Sequence, residues 1–278
     1  MKVAITGASG YVGTCITNCF RAHGHEVLAL SRRPCTALWV SYALGDDPLL
    51  LPWDDVDVLV HAAYDFTPRT WREIVDRNVT PSVELLRAAK NAKVGRLIYI
   101  SSMSSFEGCR SNYGKAKMMI EKQALQMGAA VVRTGLVWGE TSGGVMGALE
   151  KLVVKFPVVP FLTGGAHPRQ FLIHEADLSQ AIVAIAESLP SGAGDLHSVT
   201  QPNPVALLEI LRSIAKRSHR FRIYLPVPWQ LVMVSLKLAE VLGIRFMFRS
   251  DSLVGLIHGN PRPTISIPPI GIHYRAFV

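Results

Sequence analysis

The chain of 278 residues contains 49% hydrophobic and 18% charged residues, which provides enough apolar surface for a folded core and excludes an intrinsically disordered protein. Lysine and arginine outnumber aspartate and glutamate by 29 to 21, and the resulting charge of +8 favours anionic partners without identifying one. The four cysteines show no metal-ligand spacing, so we expect no metal site and reduced thiols in a cytoplasmic protein. The longest apolar stretch, 225–242, contains prolines and charged residues and predicts no membrane span.

Short apolar runs alternate with helical patterns over the first 139 residues, as in the successive βα units of a parallel sheet. Strands are predicted over residues 2–6, 26–31, 39–44, 56–61, 96–101 and 130–134. Helices are predicted over residues 11–23, 70–78 continuing through 81–91, and 113–127. The order predicts an α/β fold of the Rossmann type, built on a doubly wound parallel sheet.

Glycines and prolines punctuate the chain after residue 139 and predict a loop-rich region over residues 140–174. Helices are expected over 175–189, 204–218 and 229–242, and an irregular proline-rich tail over 260–269. We predict that residues 1–139, joined by 175–200, form a dinucleotide-binding lobe. Residues 140–174 and 201–278 are expected to form a smaller C-terminal substrate lobe.

A glycine-rich loop, Thr6-Gly7-Ala8-Ser9-Gly10-Tyr11-Val12-Gly13, follows the first predicted strand and opens the first predicted helix. Its first glycine permits a tight turn, its second a close approach of a pyrophosphate, and its third the packing of the helix on the sheet. The helix N-terminus offers free N–H groups to phosphates. The loop therefore indicates dinucleotide binding, with cofactor contacts from Gly7, Ser9, Gly10, Tyr11, Val12 and Gly13.

The second predicted strand ends in Ser31-Arg32-Arg33, where the adenosine ribose of a dinucleotide is expected. This turn lacks the carboxylate that would accept hydrogen bonds from both ribose hydroxyls, whereas guanidinium groups pair with a 2′-phosphate. Ser31, Arg32 and Arg33 are therefore assigned to the cofactor, and NADP(H) is the predicted preference. A solvated basic turn, with NAD(H) as cofactor, is the alternative. Asp46 either reaches the adenine amine or belongs to a plain surface turn.

Tyr113 and Lys117 lie four residues apart and share one face of a predicted helix. Reduction of a carbonyl or oxidation of an alcohol needs a proton donor or acceptor, and a phenol with a pKa of about 10 is poorly matched to neutral pH. A cation at ~4 Å in an effective dielectric of ~20 stabilises phenolate by about 4 kcal/mol before desolvation opposes it. We therefore expect Lys117 to lower the pKa of Tyr113 toward neutrality.

With these motifs, the chain resembles the short-chain dehydrogenase/reductase superfamily, in its extended branch of NAD(P)-dependent nucleotide-sugar epimerases and dehydratases. The resemblance covers residues 1–190 and rests on the glycine loop, the Tyr-x-x-x-Lys pair and Ser101-Ser102. Further matching segments are His61-Ala62-Ala63, Asn78-Val79, Val132-Arg133-Thr134, Val137-Trp138-Gly139 and the run from Arg169 to His174.

The resemblance implies that Tyr113 is the acid/base, that Lys117 binds the nicotinamide ribose, and that a serine or threonine orients the substrate oxygen. It also implies cofactor contacts from His61, Ala62, Ala63, Asn78, Ser101 and Lys117. Substrate contacts are expected from Met103, Arg133, Thr134 and Arg169.

The chain departs from the family pattern at the orienting hydroxyl, because Met103 stands there and a thioether cannot donate a hydrogen bond. Either Ser102 or Ser104 takes that role, or the site works without it. The dehydratases of the family carry an Asp-Glu pair just after the catalytic threonine, whereas this chain has Ser104-Ser105. Dehydration is therefore disfavoured.

The predicted function is an NADP(H)-preferring oxidoreductase or epimerase that acts on a secondary alcohol or ketone, with an anionic nucleotide-linked sugar as the substrate class that the resemblance favours. The alternatives are a reductase of a non-sugar carbonyl compound and a non-catalytic dinucleotide sensor or scaffold. The sequence shows no motif of a nucleic-acid reader, and the superfamily resemblance makes a homodimer a further expectation.

Two C-terminal features have open interpretations. The helix predicted over 229–242 and the run 244–248 are unusually apolar and could pack on the lobe or a partner, face lipid, or line an apolar substrate tunnel. The basic cluster Lys216, Arg217, Arg220 and Arg222 is interpreted first as a solvated face, and otherwise as a contact for an anionic substrate or membrane headgroup.

Overall fold

The structure is a computed structural model that describes residues 1–140, 142–165, 168–188, 194–244, 248–260, 263–265 and 272–277. Its strands are β1 (Lys2–Thr6), β2 (Glu26–Ser31), β3 (Trp39–Ser41), β4 (Val58–His61), β5 (Arg96–Ser102), β6 (Ala130–Thr134), β7 (Leu136–Trp138), β8 (Val158–Thr163), β9 (Arg169–Gln170), β10 (Leu172–His174), β11 (Leu196–Val199), β12 (Val205–Ala206) and β13 (Ile223–Pro228). Its α-helices are α1 (Tyr11–Ala22), α2 (Trp71–Ile74), α3 (Thr80–Asn91), α4 (Asn112–Gln126), α5 (Gly144–Lys155), α6 (Glu175–Ser188), α7 (Leu207–Arg217), α8 (Trp229–Val241) and α9 (Ser250–Ile257). A 3₁₀ turn spans Pro48–Leu50, and a π-helical turn, Val75–Val79, joins α2 to α3.

Seven parallel strands form the central sheet in the order β11-β6-β5-β4-β1-β2-β3. The strand order reverses between the paired strands β1 and β4: β2 and β3 extend the sheet beyond β1, whereas β5, β6 and β11 extend it beyond β4. In open parallel sheets such a reversal opens a crevice at the carboxyl ends of the strands. The predicted Rossmann-type, doubly wound α/β fold is confirmed.

Helices cover both faces of the sheet, which explains why β1 is an unbroken apolar run with Val3, Ala4 and Ile5 fully buried. On one face, α1 and α6 pack together on the sheet through residues such as Phe20 and Ile182. On the other face lie α3 and α4, with residues such as Leu85 and Ile120 in the second core. Each fully buried side chain of this size stabilises the fold by roughly 2 kcal/mol relative to exposure.

A third core lies outside the sheet and joins α5, α7, β8 and β13. The apolar residues of α5 that enter it, Met146, Leu149 and Val153, follow the three-and-four spacing of one helical face. They pack in the same cluster as Ile210 and Ile214 of α7. We propose that this core defines the smaller lobe. In addition, α9 contacts α4 and β9, so the C-terminal elements reach back to the edge of the sheet.

The loop-rich region predicted over 140–174 is wrong, because it contains α5 and the strands β8 to β10. Gly143, Gly144 and Gly147 lie at the start of α5 rather than in a loop, and a Cβ on Gly147 would lie 2.4 Å from the Ser142 carbonyl oxygen. Burial of the apolar face of α5 outweighs the low helix propensity of these glycines. Residues 189, 245–247, 261–262 and 266–269, which belong to predicted helical, apolar or proline-rich segments, lie outside the described residues.

Candidate active site

A cavity of about 760 Å³ opens at the carboxyl ends of the sheet strands. Its floor is made by the loop between β1 and α1 and by the ends of β2, β4 and β5, and its outer wall by the region of β9 and α9. Its size is that of a typical ligand site. Most of the predicted site residues line it: Gly7, Ser9, Gly10, Tyr11, Val12, Gly13, Ser31, Arg32, Arg33, Ala62, Ala63, Ser101, Ser102, Met103, Ser104, Tyr113, Lys117, Thr134 and Arg169.

The glycine loop leaves the N-terminus of α1 open to the cavity, because Gly10 at the N-cap position supplies no capping side chain. Gly7 has a φ of +69°, and a Cβ there would lie 2.9 Å from the backbone of Ala63. A Cβ on Gly13 would lie 2.1 Å from the Gly7 carbonyl oxygen, so the helix packs on the loop only with glycine there. This helix end, which no side chain caps, fits the pyrophosphate of a dinucleotide.

The turn Arg32-Arg33 that follows β2, called the arginine turn below, is stabilised by Ser31. The Ser31 hydroxyl donates to the Arg33 carbonyl oxygen at 2.6 Å and accepts from the Trp39 indole N–H at 3.1 Å. Arg32 and Arg33 are exposed and line the cavity. This end of the cavity is therefore a fixed turn that presents two guanidinium groups.

An acidic residue, Asp65, also lines this region, and its charge is balanced. Arg77 forms an ion pair with it at 2.8 Å, and the Thr67 backbone N–H donates to it at 2.9 Å. Burial, which raises the pKa of Asp65, is outweighed by the hydrogen bonds from Thr67 and by the charges of Arg77 and Arg32, so the pKa lies below its ordinary value. The arginine turn therefore does not face an unbalanced carboxylate.

Three predicted cofactor residues are not brought into the cavity wall. His61 is fully buried and bridges the hydroxyls of Thr6 at 2.7 Å and Ser82 at 2.8 Å. Burial, followed by the charge of Lys117, lowers the pKa of His61 to about 3, so the ring is neutral at neutral pH. The residue supports the wall from behind.

The side chains of Asn78 and Asp46 also form hydrogen bonds within the protein, in both cases to backbone groups. Asn78 lies in the π-helical turn and is buried; its side chain accepts from the Asp65 N–H at 2.6 Å and donates to the Asp65 carbonyl at 3.0 Å. Asp46 accepts from the Ala43 N–H at 2.7 Å in a surface turn. The structure thus favours the plain-turn alternative for Asp46, and it gives Asn78 the task of fixing the loop after β4.

Tyr113 and Lys117 point to the same part of the cavity from α4. The Lys117 Nζ donates to the Ile100 carbonyl oxygen at 2.8 Å. It lies 4.9 Å from the ring centroid of Tyr99, 5.1 Å from that of Tyr64 and 5.9 Å from that of Tyr113. The lysine is thus buried among three aromatic rings, whose faces attract its positive charge.

The expected lowering of the Tyr113 pKa toward neutrality is not found. Burial raises the pKa of Tyr113 to about 12, and the side-chain hydrogen bond with Ser102 opposes this rise. Burial likewise lowers the pKa of Lys117 to about 7, while the charge of Glu121 opposes that shift. The expected lowering requires a fully charged lysine, whereas burial removes much of that charge near neutral pH.

The two candidate serines differ in their contacts. Ser102, the last residue of β5, opposes the rise in the pKa of Tyr113, and its hydroxyl accepts from the Ser104 N–H at 3.1 Å. Ser104 lines the cavity and packs its carbonyl against α4, where a Cβ on Gly114 would lie 2.2 Å from it. Met103 also lines the cavity. Of the two serines, Ser102 is the one that holds down the pKa of Tyr113.

Arg133 is turned away from the main cavity, in contrast to the predicted substrate contact. It forms a two-pronged ion pair with the buried Glu121 at 3.0 and 2.7 Å, and Glu121 also accepts from the Ser101 hydroxyl at 2.5 Å. Its neighbour Thr134 does line the cavity and donates to the Ser101 carbonyl at 3.3 Å. Arg169 lines the outer wall, with one N–H to the Pro204 carbonyl at 3.3 Å.

Several residues around the tyrosine were not predicted from the sequence. The ring centroid of Tyr64 lies 5.0 Å from that of Tyr113 in an edge-on arrangement, and Phe66 is stacked at 5.8 Å. Tyr64 directly follows the segment His61-Ala62-Ala63, so its position next to that motif could have indicated that it belongs to the site. Asp251, at the start of α9, accepts from the N–H groups of Asn112 at 2.7 Å and Tyr113 at 3.0 Å. No local pattern indicates that long-range contact.

Comparisons with known proteins identify the family of this chain. The model of the NAD dependent epimerase/dehydratase family matches residues 3–196, which is more than half of the chain. The chain belongs to the NAD dependent epimerase/dehydratase family. It is therefore an NAD(P)-dependent enzyme of the short-chain dehydrogenase/reductase type, and the family resemblance stated from the motifs is confirmed.

Individual members of this family are distant relatives. The chain is 26% identical over 260 residues to the epimerase family protein YfhF of Bacillus subtilis (strain 168), covering 82% of this chain and 83% of that protein. It is 27% identical over 227 residues to the ceramide reductase of Caulobacter vibrioides, covering 77% and 69%. The solved structure of MoeE5 in complex with UDP-glucuronic acid and NAD superposes with a TM-score of 0.71 and 17% identity over 95% of both chains, a likeness of fold.

Proposed function

We propose that the protein is an NADP(H)-preferring oxidoreductase or epimerase that interconverts a secondary alcohol and a ketone, with Tyr113 as its acid/base. The observation that carries this proposal is the position of Tyr113 in the cavity, which Ser102 also lines, with the buried Lys117 Nζ 5.9 Å from the centre of its ring. The glycine loop and the arginine turn would hold the dinucleotide, which supplies or accepts the hydride when it is bound. Lys117 is the cavity residue proposed for its nicotinamide ribose.

Tyr113 is suited to donate a proton to a substrate oxygen. With a pKa of about 12, the phenol is protonated at neutral pH, which is the form that reduction of a ketone requires. Ser102 orients the phenol, and the ammonium form of Lys117 stabilises the phenolate that remains after transfer. In the oxidative direction, the phenol must first lose its proton, and the resulting phenolate then accepts the proton of the alcohol.

Tyr113→Phe tests the catalytic role, because it removes only the hydroxyl and keeps the ring between Tyr64 and Phe66. We expect kcat to fall at least about 100-fold while the Kd for NADP(H) stays within about twofold. Full turnover in this variant would refute the acid/base role. Wild-type protein that binds NADP(H) tightly but turns over none of the substrates below would favour the sensor or scaffold alternative.

The proposed preference for NADP(H) is supported by Arg32 and Arg33, which line the cavity while the nearby Asp65 is paired with Arg77. A hydrogen bond between charged partners contributes about 1.5–3 kcal/mol, so each lost contact weakens binding roughly 10- to 100-fold. We expect Arg32→Ala together with Arg33→Ala to weaken NADPH binding by at least the loss of one such contact and NADH binding by less than threefold, measured by nucleotide fluorescence. Equal losses for both nucleotides would contradict the preference.

A nucleotide-linked sugar is the proposed substrate class, supported by the family and by the guanidinium groups of Arg169 and Arg249 in the outer cavity wall. A non-sugar, apolar ketone is the second candidate. The aromatic rings of Tyr64 and Phe66 beside Tyr113 favour it, as does the similarity to a protein named ceramide reductase. Incubation with UDP-sugars and with long-chain ketones, followed by mass spectrometry and sugar analysis, distinguishes the two. Sugar analysis is needed because an epimerase regenerates its nicotinamide and gives no net absorbance change.

A further inference from the structure

An exposed apolar surface lies on the segment from β13 through α8. Its members, which we call the apolar surface, are Phe221, Ile223, Leu225, Leu231, Val234, Leu238, Val241, Leu242 and Ile244. Phe221 is 88% exposed and Val241 84%, while every other member is at least half exposed. Isolated apolar residues are normal on protein surfaces, but a contiguous run of the chain with this composition marks an interaction site.

The pattern of α8 is inverted relative to an ordinary surface helix. Its residues 231, 234, 238 and 241 are spaced by three and four and so form one apolar stripe along the helix. Such a stripe normally faces the core, yet in α8 these four side chains are exposed and only Ala239 is fully buried. The apolar stripe of α8 is therefore directed outward.

The strand that leads into α8 continues the same surface. Ile223 and Leu225 alternate with Tyr224, which packs in the third core with Val159. Ile223 lies opposite Val158 of β8, which is also exposed. Because side chains alternate between the two faces of a strand, the outward face of the β8 and β13 pair is apolar.

The chain around the apolar surface is strongly basic. Residues 150–165 and 216–244 contain seven lysines and arginines and two acidic residues, Glu150 and Glu240, of which Glu150 lies 3.9 Å from the Arg217 guanidinium. The Glu240 carboxylate accepts hydrogen bonds from the Ser250 N–H and hydroxyl, both at 2.8 Å, so both of its oxygens have a partner within the protein. The exposed basic side chains are Lys151, Lys155, Lys216, Arg217, Arg220 and Lys237.

The positive charge favours an anionic lipid layer over a second copy of the chain as the partner of the apolar surface. In a two-fold symmetric dimer through this face, each basic rim would lie against the basic rim of the second copy and repel it. An anionic layer instead neutralises every lysine and arginine at once. In α8 itself the only basic side chain is Lys237, and the other exposed basic side chains lie on α5, on α7 and in the turn before β13.

We propose that the apolar surface binds the face of a lipid bilayer that contains anionic lipids, with α8 lying in the plane of the interface. No helix in the described part of the chain is long and apolar enough to cross a membrane, so the contact is superficial. The end of α8 also borders the candidate active site, because Arg69 of the cavity wall donates to the Glu240 carbonyl oxygen at 3.0 Å. The bound protein would therefore hold the rim of its cavity close to the lipid surface.

Sedimentation with sucrose-loaded vesicles tests this proposal. Wild-type protein should sediment with vesicles of equal parts phosphatidylcholine and phosphatidylglycerol and remain in solution with pure phosphatidylcholine. Leu238→Glu combined with Val241→Glu should reduce the bound fraction at least about tenfold, since it places two charges in the inserted stripe. The matched control is Leu49→Glu with Leu50→Glu, which alters two exposed leucines on the 3₁₀ turn and should leave binding unchanged.

The contribution of the basic side chains to vesicle binding is tested with separate variants. Arg220→Glu with Lys237→Glu should weaken binding at least about tenfold, and Lys90→Glu, on an exposed position of α3, by less than twofold. In the wild-type protein, raising the salt concentration should weaken binding without any substitution. Circular dichroism and NADPH binding of each variant separate a loss of lipid binding from a loss of fold.

Three outcomes would overturn the proposal. The first is wild-type protein that does not sediment with the anionic vesicles, and the second is equal binding to both vesicle types. The third is a dimer in sedimentation equilibrium that Leu238→Glu with Val241→Glu dissociates while lipid binding is unaffected, which would assign the apolar surface to a second copy of the chain.

Discussion

Replacement of Lys117 by methionine should change how the stability of the protein depends on pH. The side chain is 4% exposed, and burial lowers its pKa to about 7 from the ordinary value of 10.5. Between these two values, the unfolded chain binds a proton that the folded protein does not. The free energy of unfolding of the wild type therefore rises with pH through that window and is insensitive to this group below it.

The magnitude follows from this linkage. One proton bound only by the unfolded state contributes roughly 1 kcal/mol per pH unit, so Lys117 should contribute about 2 kcal/mol between pH 7 and pH 9. Lys117→Met keeps the length and much of the volume of the side chain and removes the titration. Loss of the hydrogen bond to the Ile100 carbonyl adds an offset that is the same at every pH.

Urea unfolding of both proteins at several pH values between 6 and 9 measures the effect. The difference in unfolding free energy, wild type minus Lys117→Met, should be flat near pH 6 and should rise above pH 7. Lys115→Met, an exposed position on the same helix, is the matched control and should follow the wild type. A wild-type minus Lys117→Met difference that stays constant from pH 6 to pH 9 would show that the buried amine keeps its proton, and would refute the reasoning.

Two further variants examine the surroundings of the tyrosine. Arg133→Met leaves the carboxylate of Glu121 buried without its cation and should lower the free energy of unfolding by about 3 kcal/mol, whereas the double variant Arg133→Met with Glu121→Leu should recover most of that loss in urea unfolding. No recovery in the double variant would contradict the ion-pair explanation. Ser102→Ala removes the hydrogen bond that opposes the rise of the Tyr113 pKa and should lower kcat about 10- to 100-fold, while Ser104→Ala should stay within about threefold of wild type; equal effects of the two would exclude a specific role for Ser102.

The parts of the fold that sequence predicted well are those whose signals are local. The strand Lys2–Thr6 and the glycine loop after it are defined by an apolar run and by glycines that a Cβ could not replace. The helix α5 was missed for the same reason, since its glycines are a local signal of a loop and its stabilisation comes from contacts with α7, far along the chain. Local propensity therefore fails where distant packing decides.

The chemistry of the site shows the same division. Spacing along α4 correctly placed Tyr113 and Lys117 on one face, but it carried no information about the three aromatic rings that surround the lysine. Burial by those rings is what shifts both pKa values away from the expected ones. Likewise, the pattern around Arg133 gave no sign that Glu121, twelve residues earlier, would take up its guanidinium group.

Asp251 links the far end of the chain to the residue on which turnover is proposed to depend. Its carboxylate caps the first N–H groups of α4, so the orientation of the tyrosine-bearing helix is set partly by a segment more than a hundred residues downstream. A chain shortened before α9 would retain every strand of the central sheet and yet lose this anchor. We therefore expect such a shortened chain to keep its central sheet while Tyr113, the proposed acid/base, loses part of the support that fixes its helix.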